Sequence, residues 1–201
     1  MIRTMYVVSP HDSVHQTFVL RRMGEHKLIV MEEYQDLVCP KCGKVNEKAA
    51  LARGIQAGVI VKSKRPFVAS ADDFYLLDER GKQVFSSVVP DQIDYYRVPS
   101  SAFYVAFAKE CLEPDESDPG FRFVRGRCKQ CGRPREVIWG KSPPRIARIK
   151  PLLSINLESV RGVIPTWVVS EDVANRLEKA SPPLTGMVLV PKEFNDWEHP
   201  V

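Results

Sequence analysis

The sequence has no apolar run long enough to cross a membrane and no recognisable secretion signal. Its apolar stretches fall far short of the roughly 20 residues that a transmembrane helix needs. The opening segment, MIRTMYVVSPHDSVHQ, has only a short apolar patch before Ser9 and Pro10, too short for the hydrophobic region of a signal peptide. We therefore expect a cytoplasmic protein, in a compartment where cysteine thiols stay reduced.

Common catalytic motifs are also missing. There is no G-x-S-x-G, no phosphate-binding G-x-x-x-x-G-K-[ST], no G-x-G-x-x-G and no H-E-x-x-H. The chain has only four histidines, and none stands beside a recognisable nucleophile. These absences give no support to an enzyme, so we expect no catalytic residues.

The composition is that of an ordinary globular protein, with 201 residues, 44% hydrophobic and 27% charged. We expect a single domain over residues 1–201. Short alternating segments such as FRFVR (121–125) predict strands, and Ser170 is placed to cap a helix over 171–180. In the same way, Ser70 predicts a helix over 71–80, followed by a strand over 82–89. The pattern indicates an α+β fold with a mostly antiparallel sheet and a few short helices.

The sequence does contain two matched pairs of cysteines. They are CPKCG at 39–43 and CKQCG at 128–132, with 85 residues between Cys42 and Cys128. Two residues between cysteines let both sulfurs of one turn reach a single ion, and the glycine that follows permits a backbone conformation that a side chain would hinder. Segments 28–46 and 121–140 are thus expected to form a zinc-ribbon-like pair of knuckles around a long insertion.

Cys39, Cys42, Cys128 and Cys131 are the predicted ligands of one structural Zn²⁺. Four thiolates fill a tetrahedral site and leave no position for a reactive water. Iron also binds sites of this type, and a C-x-x-C pair can act as a thiol–disulfide redox centre, so both alternatives stay open. The fifth cysteine, Cys111, is interpreted as a small buried hydrophobic residue.

Charge is distributed in blocks although the net charge is only +4. Residues 109–118 carry five acids and one lysine, and residues 121–150 carry ten Lys or Arg and the single acid Glu136. The basic segment also holds Phe121, Phe123 and Trp139, a combination suited to phosphate contact and base stacking. It predicts nucleic-acid binding as an alternative function, and either block is a candidate surface for a protein of opposite charge.

The two C-x-x-C-G motifs at this spacing resemble the double-CXXCG-motif proteins of myxobacteria, which look like immunity proteins of the Sit toxin-exchange system. The closing segment IPTWVVSEDVANRLEKASPPLTGMVLVP (164–191) is similar to the last strand–helix–strand segment of that family. The resemblance implies a protein that binds and neutralises a cognate toxin without catalysis, with the four cysteines as metal ligands. It assigns no residue to toxin contact.

Overall fold

The computed structural model describes residues 2–14, 16–25, 28–146, 151–159, 162–181 and 183–196. The described strands are β1 Ile2–Pro10, β2 Ser13–Val14, β3 Arg21–Met23, β4 Leu28–Val30, β5 Phe67–Ser70, β6 Tyr75–Asp78, β7 Ile93–Arg97, β8 Phe103–Ala108, β9 Cys111–Leu112, β10 Phe121–Arg127, β11 Pro134–Trp139, β12 Arg145–Ile146, β13 Leu152–Ser159, β14 Gly162–Val169 and β15 Met187–Asp196. The helices are α1 Glu47–Arg53, α2 Glu79–Val88 and α3 Glu171–Glu178, with a 3-10 helix at Glu32–Leu37. In the part of the chain described here, no helix is both long and apolar enough to span a bilayer.

Two large sheets dominate the fold. One has the strand order β12–β15–β1–β14–β13–β9, and the other has the order β2–β5–β6–β8–β7. Parallel pairing occurs at β2·β5, β9·β13 and β12·β15, each with only two residue pairs, and the remaining pairs in both sheets are antiparallel. The predicted α+β class with a mostly antiparallel arrangement is confirmed.

Three apolar clusters divide the chain into layers. The first lies between the two sheets and includes Trp167, whose ring meets that of Tyr75 edge-on at 4.9 Å between centroids. The second covers the opposite face of the five-stranded sheet and includes Tyr34 and Leu51. The third covers the opposite face of the six-stranded sheet, where the β10–β11 hairpin contributes Phe121. Because side chains alternate along a strand, each sheet contributes to two clusters.

The prediction for residues 71–89 was wrong, because strand and helix occur there in the opposite order. Ser70 does not cap a helix, since its Oγ accepts a hydrogen bond from the Phe74 amide (2.9 Å) and closes a turn between β5 and β6. The buried Asp72 carboxylate accepts hydrogen bonds from the amides of residues 19–21, so it forms a tertiary contact and is not in the first turn of a helix. Asp73 has φ +70°, which is incompatible with a helix.

Helix α2 begins after these turn residues, where a strand was predicted. Asp78 caps it by accepting a hydrogen bond from the Gly81 amide at 2.8 Å. A Cβ at Gly81 would lie 2.5 Å from the Pro66 carbonyl oxygen, so glycine allows this helix to approach the chain closely. The helix over 171–180 is confirmed as α3, whose first turn donates the Val173 amide to Ser170 Oγ.

Candidate metal centre

The four cysteines of the two C-x-x-C-G motifs come together at one point. Their Sγ atoms all lie within 4.8 Å of one another. The Sγ atoms of Cys39 and Cys128 are 3.8 Å apart, and those of Cys42 and Cys131 are 3.6 Å apart, so both of these close contacts join one motif to the other. The chain therefore brings together residues that are 89 positions apart in sequence.

This spacing fits a tetrahedral thiolate site. Metal–sulfur bonds of about 2.3 Å at tetrahedral angles place the sulfurs about 3.8 Å apart, close to both measured distances. A disulfide would need sulfurs at about 2.05 Å, and all four residues are free thiols. The four side chains can hold one metal ion between the two motifs.

The two motifs have the same backbone structure. In each, the amide of the first cysteine donates to the carbonyl of the fifth residue after it, from Cys39 to Lys44 and from Cys128 to Arg133, both at 2.9 Å. The glycine amide donates back to the carbonyl of the first cysteine in both turns. Gly43 has φ +73° and Gly132 has φ +72°, a conformation that favours glycine. The two turns are structural equivalents, which we call the first knuckle (39–45) and the second knuckle (128–134).

Amide groups of each knuckle favour the thiolate form of its first cysteine. In the second knuckle, hydrogen bonds from the amides of Cys131 and Gln130 lower the pKa of Cys128 from 9.0 to about 6. The amides of Cys42 and Lys41 likewise lower the pKa of Cys39. Burial, with neighbouring cysteines adding to it, raises the pKa of Cys42 to about 12. Ionising the Cys42 thiol near neutral pH therefore needs the positive charge of a bound cation.

Two basic side chains join the knuckles in opposite directions. Lys44 Nζ of the first knuckle donates to the Pro134 carbonyl of the second at 2.9 Å, and Arg133 Nη1 donates to the Val45 carbonyl of the first at 2.6 Å. Lys44 and Arg133 occupy the same position in their knuckles, five residues after the first cysteine. The two contacts thus repeat each other and hold the knuckles face to face.

Glu47, the first residue of α1, extends this linkage into the protein interior. Its carboxylate is 3.0 Å from Arg21 Nη2 and 3.3 Å from Arg133 Nη2. Arg21 in turn lies 3.9 Å from Asp72, the carboxylate that binds the amides of residues 19–21. A buried chain of alternating charges therefore connects the second knuckle to α1 and to the β5–β6 turn.

This centre also includes three residues that the sequence patterns did not predict, namely Lys44, Arg133 and Glu47. The sequence contains a pattern that points to Lys44 and Arg133, because both motifs continue with a basic residue, as C-x-x-C-G-[KR]. No sequence pattern points to Glu47, since its partners Arg21 and Arg133 lie 26 and 86 positions away in the chain.

Cys111 is separate from the four-sulfur centre, and its interpretation as a buried residue was wrong. It lies exposed on β9 and borders a cleft of about 780 Å³ between the knuckles and both large sheets. Cys131 of the second knuckle and Phe107 of β8 also line this cleft. Of the histidines, His11 is exposed and contacts Asp12 at 3.1 Å, whereas His15, His26 and His199 are outside the described residues.

The aromatic residues of the basic segment are used for packing. Phe121 stacks on Trp139 with 5.6 Å between ring centroids, and both rings belong to the third apolar cluster. Phe123 packs there as well and lies under the Arg127 guanidinium. Phe121 is thus buried, whereas Phe123 and Trp139 are half-buried. Residues 147–150 of the segment are outside the described part of the chain.

The acidic block is partly neutralised by the neighbouring basic block. Glu116 pairs with Arg127 at 3.0 Å. Asp118 is buried and accepts hydrogen bonds from the amides of Gly120 and Arg145, so it holds the loop in place. The adjacency of the two blocks therefore has a structural role, in addition to any contact with a partner.

The chain has no significant match to a protein-family model, to a curated protein or to a solved structure.

Proposed function

We propose that this chain is a zinc-binding immunity protein that binds and neutralises a cognate bacterial toxin in the cytoplasm, without catalysis. The observation that carries the proposal is the meeting of two C-x-x-C-G motifs, distant in sequence, with all four sulfurs within 4.8 Å. The same paired motifs are the basis of the resemblance to double-CXXCG-motif immunity proteins.

Zinc is the proposed metal because an all-thiolate tetrahedron is its usual structural site. When bound, the ion supplies four metal–sulfur bonds that crosslink the knuckles and leaves no open position for substrate or water. The chain itself prepares the site for the ion. Amides of the knuckles stabilise the thiolates of Cys39 and Cys128, while Lys44 and Arg133 align the two turns. A centre of this kind supports a binding surface and performs no reaction.

Metal analysis tests the first half of the proposal. Protein purified without chelators should contain about one zinc per chain, and Cys128→Ser should lose most of it. Cys111→Ser is the matched control, because Cys111 is outside the four-sulfur centre and its variant should keep the metal. Iron in place of zinc, or less than about half a metal per chain in the unmodified protein, would count against the zinc assignment.

Toxin neutralisation is tested by co-expression with the product of the neighbouring gene, where the proposal places the cognate toxin. Cells carrying both should grow, and the two proteins should purify as a stable complex. A neighbouring gene product that remains toxic, or that does not bind, contradicts the proposed function. The zinc assignment would survive that result, because it is measured separately.

Nucleic-acid binding is the second candidate, supported by exposed cations on both sides of the second knuckle. Arg122, Arg125, Lys129 and Arg135 are all exposed there. Binding to an RNA or DNA oligonucleotide should weaken steeply with salt if this candidate holds. Reversing the charges of Arg122, Arg125 and Arg135 should abolish it. Arg127 and Arg133 are poor choices for this test because they hold internal contacts.

A further inference from the structure

The two large sheets have four outer strands, and β7 differs from the other three. Strands β2, β9 and β12 contain two residues each, whereas β7 contains five. Very short outer strands are one means by which proteins prevent edge-to-edge association. The chain thus limits three of its outer strands and leaves β7 at an ordinary length.

Strand β7 also has an unpaired edge. It pairs with β8 on one side, and among the described residues the backbone of 93–97 makes no other hydrogen bond. It contains no proline, lysine or bulge, three features that commonly protect an edge, and its two charged residues, Asp94 and Arg97, are of opposite sign. In contrast, β15 has Pro191, Lys192 and Glu193 along the stretch where β12 does not cover it. The β10–β11 hairpin is interrupted by a bulge between Val124 and Arg127.

Side chains on and beside β7 are suited to contact with a protein. Tyr95 and Tyr96 are half-buried, which leaves part of each ring accessible, and tyrosine is enriched at interface hot spots. Arg97 at one end of β7 and Asp91 just before the other end are both exposed. Neither forms an ion pair with a described residue. The edge therefore has opposite unpaired charges at its two ends.

We propose that β7 is a self-association edge, on which β7 of a second copy of this chain pairs antiparallel. A two-fold axis through Tyr95 places Arg97 of each copy opposite Ile93 of the other. Asp91 lies in the turn before β7, two residues before Ile93, and has φ +58°. Because diagonal neighbours across a strand pair are about 7–8 Å apart, the long Arg97 side chain extends toward this turn of the second copy. In this register no like charges within β7 are directly opposite, and the two Asp94 carboxylates, which are diagonal neighbours, each lie 3.7 Å from Lys109 of their own chain.

The second copy satisfies the unpaired backbone groups of β7 and joins two five-stranded sheets into one continuous sheet. It also pairs Asp91 with Arg97 twice, because a two-fold contact repeats every interaction. A five-residue edge is a small interface, so we expect reversible dimerisation in the micromolar range.

Sedimentation velocity over a series of protein concentrations tests this inference. The unmodified protein should shift from monomer to dimer, and Arg97→Glu should raise the dissociation constant about tenfold, because it places a carboxylate near each Asp91. This effect should shrink at high salt. Arg122→Glu is the matched control, since Arg122 is an exposed arginine on β10, away from β7, and its variant should dimerise normally.

A second pair of variants probes the centre of the interface. Tyr95→Glu and Tyr95→Lys should each be monomeric, because two like charges face each other at the two-fold axis, and a mixture of the two should form a heterodimer. A monomer at all concentrations, or a dimer unaffected by Arg97→Glu, overturns the inference. Protection of the β7 amides from hydrogen exchange only when the toxin is added also overturns it, since the edge would then bind the toxin.

Discussion

At the scale of single residues, the glycine of each knuckle meets a requirement of the backbone that other residues meet poorly. Gly132 has φ +72°, and a Cβ built at this position has no heavy atom within 4 Å. The cost of Gly132→Ala is therefore conformational strain without a steric clash. We expect the variant to lose about 1–2 kcal/mol of folding free energy, the usual cost of a left-handed conformation for a residue with a Cβ.

Chemical denaturation of the unmodified protein and of Gly132→Ala measures this loss of folding free energy. Gly58→Ala is the control, because Gly58 also has open space around it and does not have a positive φ. Gly132→Asn should lose less than Gly132→Ala, since asparagine tolerates the left-handed region. Equal stability of the Gly58 and Gly132 alanine variants would show that the turn conformation is not a constraint.

A second prediction at this scale concerns the pKa of Cys128 in protein stripped of metal. Hydrogen bonds from knuckle amides lower it from 9.0 to about 6, so this thiol should ionise well before an ordinary cysteine as pH rises. Because the folded pKa lies below the unfolded one, this thiolate stabilises the fold fully above pH 9, and its contribution is lost as pH falls through 6.

Thiolate absorbance in the ultraviolet, followed through a pH titration of chelator-treated protein, measures this ionisation. The step near pH 6 should disappear in Cys128→Ser and remain in Cys111→Ser. A step that persists without Cys128 would assign the low pKa to another cysteine.

At the scale of secondary-structure elements, α1 positions a carboxylate that joins several parts of the chain. Its first residue, Glu47, is buried and contacts both Arg21 and Arg133. In Glu47→Gln, the buried Arg21 keeps only one ion pair, the longer one to Asp72 at 3.9 Å. Since removing one partner of a buried ion pair leaves an uncompensated charge, we expect a loss of about 3 kcal/mol.

Thermal and chemical denaturation should show this loss, together with weaker metal retention because Arg133 is held less firmly. Glu79→Gln is the control, since Glu79 is also the first residue of a helix but is exposed. A Glu47→Gln protein as stable as the control would mean that the charge network contributes little to folding.

The elements also show which features sequence patterns can predict. Helix α3 and the strand over 121–125 follow local rules of capping and alternation, and both were predicted correctly. The helix predicted over 71–80 failed because Asp72 binds amides more than 50 positions away, so a residue suited to a helix start was used for a tertiary contact. Local patterns do not contain that information.

The same distinction applies to the candidate metal centre. Its four cysteines were predictable because metal binding requires ligands of one type at short spacing within each pair. The contacts of Lys44 and Arg133 were also predictable, because a basic residue stands at the same position of both motifs. The link from Glu47 to Arg21 arises only when α1 packs against the N-terminal segment, and no spacing within the sequence reports it.

At the scale of the whole molecule, the cysteine centre joins two layers that the sheets keep apart. Leu37 and Val38, next to the first knuckle, pack on the second apolar cluster outside the five-stranded sheet. The β10–β11 hairpin, which presents the second knuckle, packs on the third cluster outside the six-stranded sheet. A metal ion bound between the knuckles would therefore connect the two outer layers, and it would stabilise the protein by restricting a long loop.

Removal of the metal should therefore destabilise the protein without unfolding its sheets. Binding free energies of about 10–16 kcal/mol in small zinc domains indicate that the loss can be large. The first cluster, around Trp167, does not involve the knuckles, so strand content should remain after chelation while the thermal midpoint falls. Hydrogen exchange should increase mainly at residues 39–45 and 121–140, and re-addition of zinc should reverse each change.

Cys128→Ser should reproduce the chelated state and fail to respond to zinc, whereas Cys111→Ser should behave as the unmodified protein does. A midpoint unchanged by complete metal removal would show that the contacts of Lys44, Arg133 and Glu47 hold the knuckles together without an ion.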